Sequence, residues 1–277
     1  MNNIIQKDYL SENVVRLIIE SPRIAKKRKA GHFVMVRVNA SGERIPLTIA
    51  DSDPIKGTIT LVIQKIGVTS DSLISLNVGD SIHDILGPLG KATHIEKYGT
   101  VICAGGGVGI APLMPIVKEL HAAGNRVITV LAGRTKELVI LEDEMRQYSD
   151  EVIVMTDDGS HGKKGLVTNG IEEVILREKV DHAVVIGPAI MMKFASILTK
   201  KYNVPTDASL NTIMVDGTGM CGGCRVTVGG ENKFVCVDGP EFDAHLVDFD
   251  EMLRRLGTYK EQEAKDYENH KHVCGRK

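Results

Sequence analysis

A chain of 277 residues, 43% hydrophobic and 25% charged, has the make-up of a folded globular protein of roughly two domains that buries its cores without disulfide staples. The formal net charge of -2 gives no electrostatic reason for a nucleic-acid partner. The opening "MNNIIQKDYL" has neither a basic start with an apolar stretch nor a small-residue cleavage site, and no window approaches a membrane span, so the expectation is a cytoplasmic protein with no membrane partner.

From residue 4 to about 97, short runs rich in Val, Ile and Thr ("VVRLIIE", "HFVMVRVN", "RIPLTIA", "TITLVIQKI") are bounded by Gly, Pro, Asn or Asp, which predicts a small antiparallel barrel. "SDSLISL" reads as a short helix and "LGPLG" at 86–90 as the turn cluster that ends the section. After residue 99 the apolar runs "TVICAGG", "RVITVLAG", "EVIVMTDD" and "HAVVIGP" alternate with longer helical patterns, the mark of a parallel sheet buried on both faces. A third section begins near Val204 and carries the cysteines. In it Phe249, Met252, Leu253 and Leu256 outline an amphipathic helix, while the charged tail beyond has little to bury and reads as a segment ordered by a partner. The domains expected are therefore 1–97, 98–205 and 206–277.

In "VICAGGGVGIAPLMPIVKEL" a strand, a glycine-rich turn and a helix succeed one another, with Pro112 in the first helical turn, where an amide hydrogen is not needed. Such a junction presents backbone amides and a helix N-terminus to a pyrophosphate. It departs from the usual dinucleotide fingerprint, because the third glycine position counted from Gly105 is Ile110 and the next strand ends in "AGRT" without an acidic residue. A purely structural glycine turn is the alternative, and the flanking strand and helix weigh against it.

The five cysteines, an odd count with no export signal, point to reduced thiols acting as ligands or core residues. Three of them form the pattern Asp216-x4-Cys221-x2-Cys224-x11-Cys236. Plant-type 2Fe-2S sites use Cys-x4-Cys-x2-Cys and a distant fourth cysteine, so Asp216 stands in the place of the first thiolate, and the interleaved Gly217, Gly219, Gly222 and Gly223 let the loop wrap and aim amides at sulfur. A structural zinc, a thioredoxin-like pair and plain buried cysteines compete with that reading. Zinc favours two short knuckles and a redox pair belongs at a helix start, whereas the x4 spacing is accounted for by iron and sulfide. Cys103 reads as core, and Cys274, near His270 and His272, as part of a solvated tail.

The pattern GGxGxAP, here Gly106, Gly107, Gly109, Ala111 and Pro112, resembles the pyridine-nucleotide domain of the ferredoxin reductase family, and the likeness covers nearly the whole chain. It implies a ferredoxin-reductase-like fold, a β barrel plus α/β: a six-stranded antiparallel FAD-binding barrel, a parallel-sheet nucleotide domain and a small C-terminal 2Fe-2S subdomain. By the same resemblance Arg134 of "AGRTKE" lies near the adenosine ribose, and Gly187 and Met191 of "GPAIMM" near the nicotinamide. Asp157 is a further ribose candidate, or simply a strand-end turn residue. "ERIPLTIA" looks like the family's first flavin motif, R-x-Y-S/T, in the altered form of dihydroorotate dehydrogenase electron-transfer subunits. In that alignment Thr48 takes the hydroxyl position near flavin N5, Leu47 follows Pro46 at the stacking position, and Ile45 stands where the arginine is expected, leaving Arg44 one place early. "IQKIGVTSDSL", which opens after Val62 and includes Gln64, resembles the second motif, with Gly67, Thr69 and Ser70 serving the FAD pyrophosphate; alone they would read as a turn and a helix cap. A lone Arg134 offers fewer donors than a 2'-phosphate usually gathers, so NAD(H) is favoured over NADP.

These sites together imply a relay. Hydride transfer moves two electrons and an iron-sulfur cluster takes one at a time, so the flavin is the converter, and the catalytic need is near-attack placement, with Thr48 tuning N5. The chain resembles the small subunits of NADH-dependent ferredoxin:NADP oxidoreductases, also described as sulfide dehydrogenase beta subunits, in which an aspartate replaces the first cluster cysteine and a "GPEFD" segment, here Gly239 to Asp243, precedes a long tail. The resemblance implies an oxidoreductase, an electron-transfer flavoprotein in a heterodimer with a larger subunit carrying a second FAD and 4Fe-4S clusters. Electron bifurcation is implied, with ferredoxin as an indirect partner. The alternatives are the electron-transfer subunit of an NAD-dependent dihydroorotate dehydrogenase, which ordinarily has four cysteines, a redox-sensing module, and a self-contained reductase for a small acceptor.

Overall fold

The computed structural model describes residues 2–274, with side chains described as far as residue 270, so His272 and Cys274 lie outside the described side chains. The first section contains β1 (Ile4–Ser11), β2 (Val14–Glu20), α1 (Pro22–Lys27), β3 (Phe33–Arg37), β4 (Arg44–Asp53), β5 (Thr58–Gln64), α2 (Val68–Ser75) and β6 (Asp84–Leu89). Its strands form a six-stranded sheet in the order β1-β2-β5-β4-β3-β6, every pairing antiparallel. The amide of Ile4 donates to the Asp80 carbonyl and that of Gly79 to the Ile4 carbonyl, so the segment entering β6 closes the sheet onto β1. Strand alternation sends Val15, Leu17 and Ile19 of β2 inward to meet Ile59, Leu61 and Ile63 of β5, all buried.

The sequence reads "LGPLG" as a turn, but Gly87 and Pro88 lie within β6. That strand ends the hydrogen-bonding order, and its pairing with β3 is irregular between Phe33 and Met35, two conditions under which a strand tolerates a residue with no amide hydrogen.

The second section contains β7 (Thr100–Gly106), α3 (Ile110–Ala122), β8 (Arg126–Gly133), α4 (Glu142–Arg146), β9 (Glu151–Thr156), β10 (Lys163–Lys164), α5 (Val167–Arg177), β11 (His182–Ile186), α6 (Ala189–Lys201) and β12 (Thr206–Ser209). These strands run parallel in the order β10-β9-β8-β7-β11-β12. The chain steps from β7 outward to β8 and β9, then returns to the other side of β7 as β11. The carboxyl ends of β7 and β11 thus flank a topological switch point, where open α/β sheets place their ligands.

The last section holds β13 (Arg225–Val228), β14 (Glu231–Phe234), α7 (Val235–Asp238), β15 (Glu241–Asp243), α8 (Phe249–Leu256) and α9 (Lys260–Cys274). β15, cut from "GPEFD", pairs antiparallel with β12 and completes a seven-stranded sheet, so the cysteine-bearing segment is joined to the nucleotide sheet by backbone hydrogen bonds. It carries Glu241 into the junction of the sections, where Oε1 accepts a 2.8 Å hydrogen bond from Thr93 Oγ1. Burial there, reinforced by Asp207 and Glu119, pushes the carboxyl up to about 7 although the Thr93 bond opposes it. In α8, Asp248 caps the first turn by accepting from the Glu251 amide at 2.8 Å, and Phe249 and Met252 are buried.

Candidate redox site

A cavity of about 2400 Å³ lies at the switch point, between the barrel and the nucleotide sheet. It is bordered by Pro46, Leu47, Thr48, Gln64, Gly67, Thr69 and Ser70 from the barrel, and by Gly106, Gly107, Gly109, Arg134, Asp157, Gly187 and Met191 from the nucleotide half. Arg44 is placed otherwise. Its neighbours Glu43 and Ile45 border the cavity and Arg44 does not; its guanidinium lies 3.5 Å from Asp84 Oδ2.

The nucleotide turn owes its shape to close approach. A Cβ on Gly109 would lie 2.7 Å from the Ile186 carbonyl oxygen and 2.8 Å from Gly187 Cα, so only glycine lets the β7 turn touch the end of β11. Gly107 has φ +56 and nothing near its absent Cβ, leaving its backbone open to the cavity. A tight turn over Gly107–Gly109 then leads into α3, whose first-turn N–H groups and dipole suit a phosphate.

On the barrel side, Thr48 pairs with Phe33 and Leu47 with Val34 in the β3–β4 ladder. Ser70 serves the start of α2: its Oγ accepts from the amides of Ile66 and Gly67 and donates to the Gly67 carbonyl, each at 2.9 Å. Its one hydroxyl proton is therefore held by the turn at the start of the helix.

In the cysteine segment, Cys224 and Cys236 are buried with their sulfurs 3.3 Å apart, while Cys221 is exposed. The amide of Gly223 points at Cys221 Sγ at 3.4 Å and that of Cys236 at Cys224 Sγ at 3.5 Å. The amides of Gly223, Asp216 and Val215 hold the Cys221 thiol below its ordinary range, whereas burial beside Cys224 pushes Cys236 up to about 12. Amides converging on sulfur fit a thiolate-bound cluster. Two thiolates on one tetrahedral metal stand about 3.8 Å apart for metal–sulfur bonds near 2.3 Å, so Cys224 and Cys236 need part by only a fraction of an ångström.

Asp216 is drawn into the loop instead of converging with the thiols. Its Oδ2 accepts from Thr218 Oγ1 at 2.6 Å, the Thr218 amide at 2.8 Å and the Met220 amide at 3.2 Å, bonds that keep its carboxyl ionised well below the usual range. Among the described residues, no three Cys, His, Asp or Glu side chains form a ready metal-binding group. The carboxylate that the spacing aligns with a cluster thiolate is, in the structure, the clasp of its own loop.

Comparison with known proteins agrees with this geometry. Residues 2–94 match the family described as oxidoreductase FAD-binding domain, 103–196 the oxidoreductase NAD-binding domain, and 211–248 the iron-sulfur cluster binding domain of dihydroorotate dehydrogenase B. A Thermotoga maritima protein named as a homolog of the dihydroorotate dehydrogenase B (NAD(+)) electron transfer subunit is 48% identical over 275 residues, 99% of this chain and 97% of the relative. The chain belongs to the dihydroorotate dehydrogenase B electron-transfer subunit family. The Bacillus caldolyticus member of that family is 34% identical over 244 residues, 85% of this chain and 93% of the relative. A chain from the solved NADH-dependent reduced ferredoxin-NADP oxidoreductase, described for its bearing on flavin-based electron bifurcation, superposes with a TM-score of 0.92 at 48% identity, covering 97% of each chain. Phthalate dioxygenase reductase, at 16% identity and a TM-score of 0.59, shares the fold.

This electron-transfer family member is thus an oxidoreductase subunit with FAD-binding, NAD-binding and iron-sulfur domains, and its cysteine loop adjoins the cavity. Met214 and Pro240, which flank the cysteine segment in the chain, border the cavity. A Cβ on Gly217, whose φ is +84, would lie 2.5 Å from Met35 Cγ, so the loop sits directly on β3. The sequence reading misses several other lining residues, among them Asn39 and Ser41 before β4, Asn169 in α5, Ser209 in β12 and a face of α9, which carry no motif and meet only in the fold. Among the described residues no helix is long and apolar enough to cross a membrane.

Proposed function

We propose that this chain is the small subunit of a heterodimeric NADH-dependent ferredoxin:NADP oxidoreductase, exchanging hydride between NAD(H) and FAD and single electrons between FAD and a 2Fe-2S cluster held by Asp216, Cys221, Cys224 and Cys236. The observation that carries this reading is proximity along the chain: Met214, two residues before Asp216, and Pro240, four after Cys236, both border the cavity. Bound flavin supplies the conversion between two-electron and one-electron chemistry. The chain's own part is positional. Gly107 and Gly109 let backbone amides approach a dinucleotide phosphate, Thr48 offers a hydroxyl at the isoalloxazine, and the loop amides of Gly223, Asp216 and Val215 favour the thiolate form of Cys221. Asp216, whose Oδ2 is held by Thr218 and Met220 in this structure, would be the fourth ligand of the cluster.

Anaerobic purification with iron, labile sulfide and flavin assayed against protein, and every co-eluting chain identified, tests the proposal. A larger chain carrying flavin and 4Fe-4S clusters is expected, and a preparation with zinc and no sulfide contradicts it. The second reading, an electron-transfer subunit of NAD-dependent dihydroorotate dehydrogenase, is favoured by the names of the relatives and by the family matched at 211–248. Reduction of NAD by dihydroorotate in the purified complex would select it.

A further inference from the structure

α9 buries no apolar stripe of its own: from Glu261 to His270 only Tyr267 and His270 are half-buried and the rest are exposed, and a helix so polar does not dock by hydrophobic burial. Lys260, Glu263, Ala264, Tyr267 and His270 nevertheless recur at three- and four-residue spacing, share one face, and all border the large cavity. The far end of the helix is tied to α2. His270 Nε2 lies 3.5 Å from Asp71 Oδ2, and Asp71 Oδ1 also holds Lys65 at 2.8 Å. α9 therefore runs from α8, on the cysteine-bearing segment, to the barrel helix whose first turn contains Thr69 and Ser70, and it walls the cavity between them.

The chemistry of that wall is selective. A phenol ring offers a stacking platform for a purine, and a carboxylate such as Glu263 accepts from ribose hydroxyls but repels phosphate. We infer that α9 forms the adenosine pocket of the dinucleotide whose phosphates lie at α2, with Tyr267 as the platform for the adenine and the His270–Asp71 contact holding the helix in register. The inference rests on the assignment of Gly67 and Thr69 to FAD under the proposed function. NAD(H) carries an adenosine of the same chemistry, and the packing of α9 against α2 assigns the pocket to FAD.

Flavin binding to the full-length chain, isolated anaerobically and freed of flavin, separates these cases. Titration by flavin fluorescence is expected to show FAD affinity reduced about tenfold or more in Tyr267→Ala, the effect of one lost base–aromatic stack, while Tyr267→Phe keeps it and FMN, which has no adenosine, binds both variants as it binds the parent. In the unaltered chain, FAD is expected to slow amide hydrogen exchange over residues 260–270 and FMN to leave it unchanged, a readout independent of any substitution. Equal FAD affinity in Tyr267→Ala, with exchange in α9 indifferent to FAD, overturns the inference, and a loss confined to NADH binding overturns its assignment to FAD. A parent chain that takes up no FAD removes the flavin reading itself, whereas one that binds FAD alongside an insensitive Tyr267→Ala removes only the role of α9.

Discussion

The two glycine-rich loops of this protein use the same residue for different reasons. In the nucleotide turn, Gly109 lies outside the left-handed region and is required because the backbone of Ile186 and Gly187 passes where a side chain would be, while Gly106 faces the movable end of Met191; Gly107 alone has positive φ. In the cysteine loop, Gly217, Gly219 and Gly222 all sit at positive φ, between +66 and +87, and Asp216 ties the turn together with hydrogen bonds to Thr218 and Met220. The first loop is shaped by packing between two buried strands. The second is shaped by torsion and by one carboxylate, which leaves its sulfurs free to be arranged by a ligand.

That contrast sets the size of the effects expected on breaking each loop. Gly109→Ala meets the backbone of Ile186 and Gly187, which cannot yield as a side chain would, so a loss of about 3 kcal/mol or more in unfolding free energy is expected, with NADH binding lost and cluster content kept in what remains folded. Denaturant unfolding and NADH titration of the same sample check both halves of that statement.

The strand joining the two regions gives the next effect. The Glu241 carboxyl titrates near 7 in the fold against an ordinary value of 4.5, so the folded state holds this proton more firmly than the unfolded one. Its contribution is fully present below about pH 4.5, is lost as pH rises through the folded value, and amounts to about 3 kcal/mol at most. Glu241→Gln is expected to match the parent near pH 4 and to exceed it in stability at pH 8. Unfolding midpoints at the two pH values measure the difference, and a variant weaker than the parent at pH 8 would place a needed carboxylate there.

Smaller still is Gly219→Ala. It forces a side chain into the left-handed region at φ +87 with the Val237 methyls 3.2–3.3 Å away, so about 1–2 kcal/mol of strain is expected, confined to the cysteine loop. Iron and sulfide content should fall while NADH affinity stays as in the parent. The opposite pattern would mean that the two loops are not independent.

Legibility in the sequence follows the same divide. Strands buried on both faces, such as β7 and β8, are continuous apolar runs bounded by turn residues, and β2 alternates cleanly, so local pattern and tertiary burial agree. β1 is half polar, "GPL" in β6 imitates a turn, and β15 is three residues long; each is a strand because of what pairs with it, information that no local window contains. For the site, glycine and cysteine spacing gave away both loops, since backbone geometry and metal ligation restrict residue type at fixed intervals. The orientation of Arg44, the capture of Asp216 by Thr218 and Met220, and the placing of a polar helix along the cavity depend on partners far away in the chain, and a charged tail looks alike whether it faces solvent or a ligand.

The relay from nicotinamide through flavin to cluster is tested most directly by anaerobic titration of the full-length protein with NADH, followed by visible absorption and low-temperature electron paramagnetic resonance. The account predicts that NADH bleaches the flavin band and that the signal of a reduced 2Fe-2S cluster rises with it, altered in Asp216→Cys. Flavin bleaching with no cluster signal in a preparation that contains iron and sulfide would contradict it.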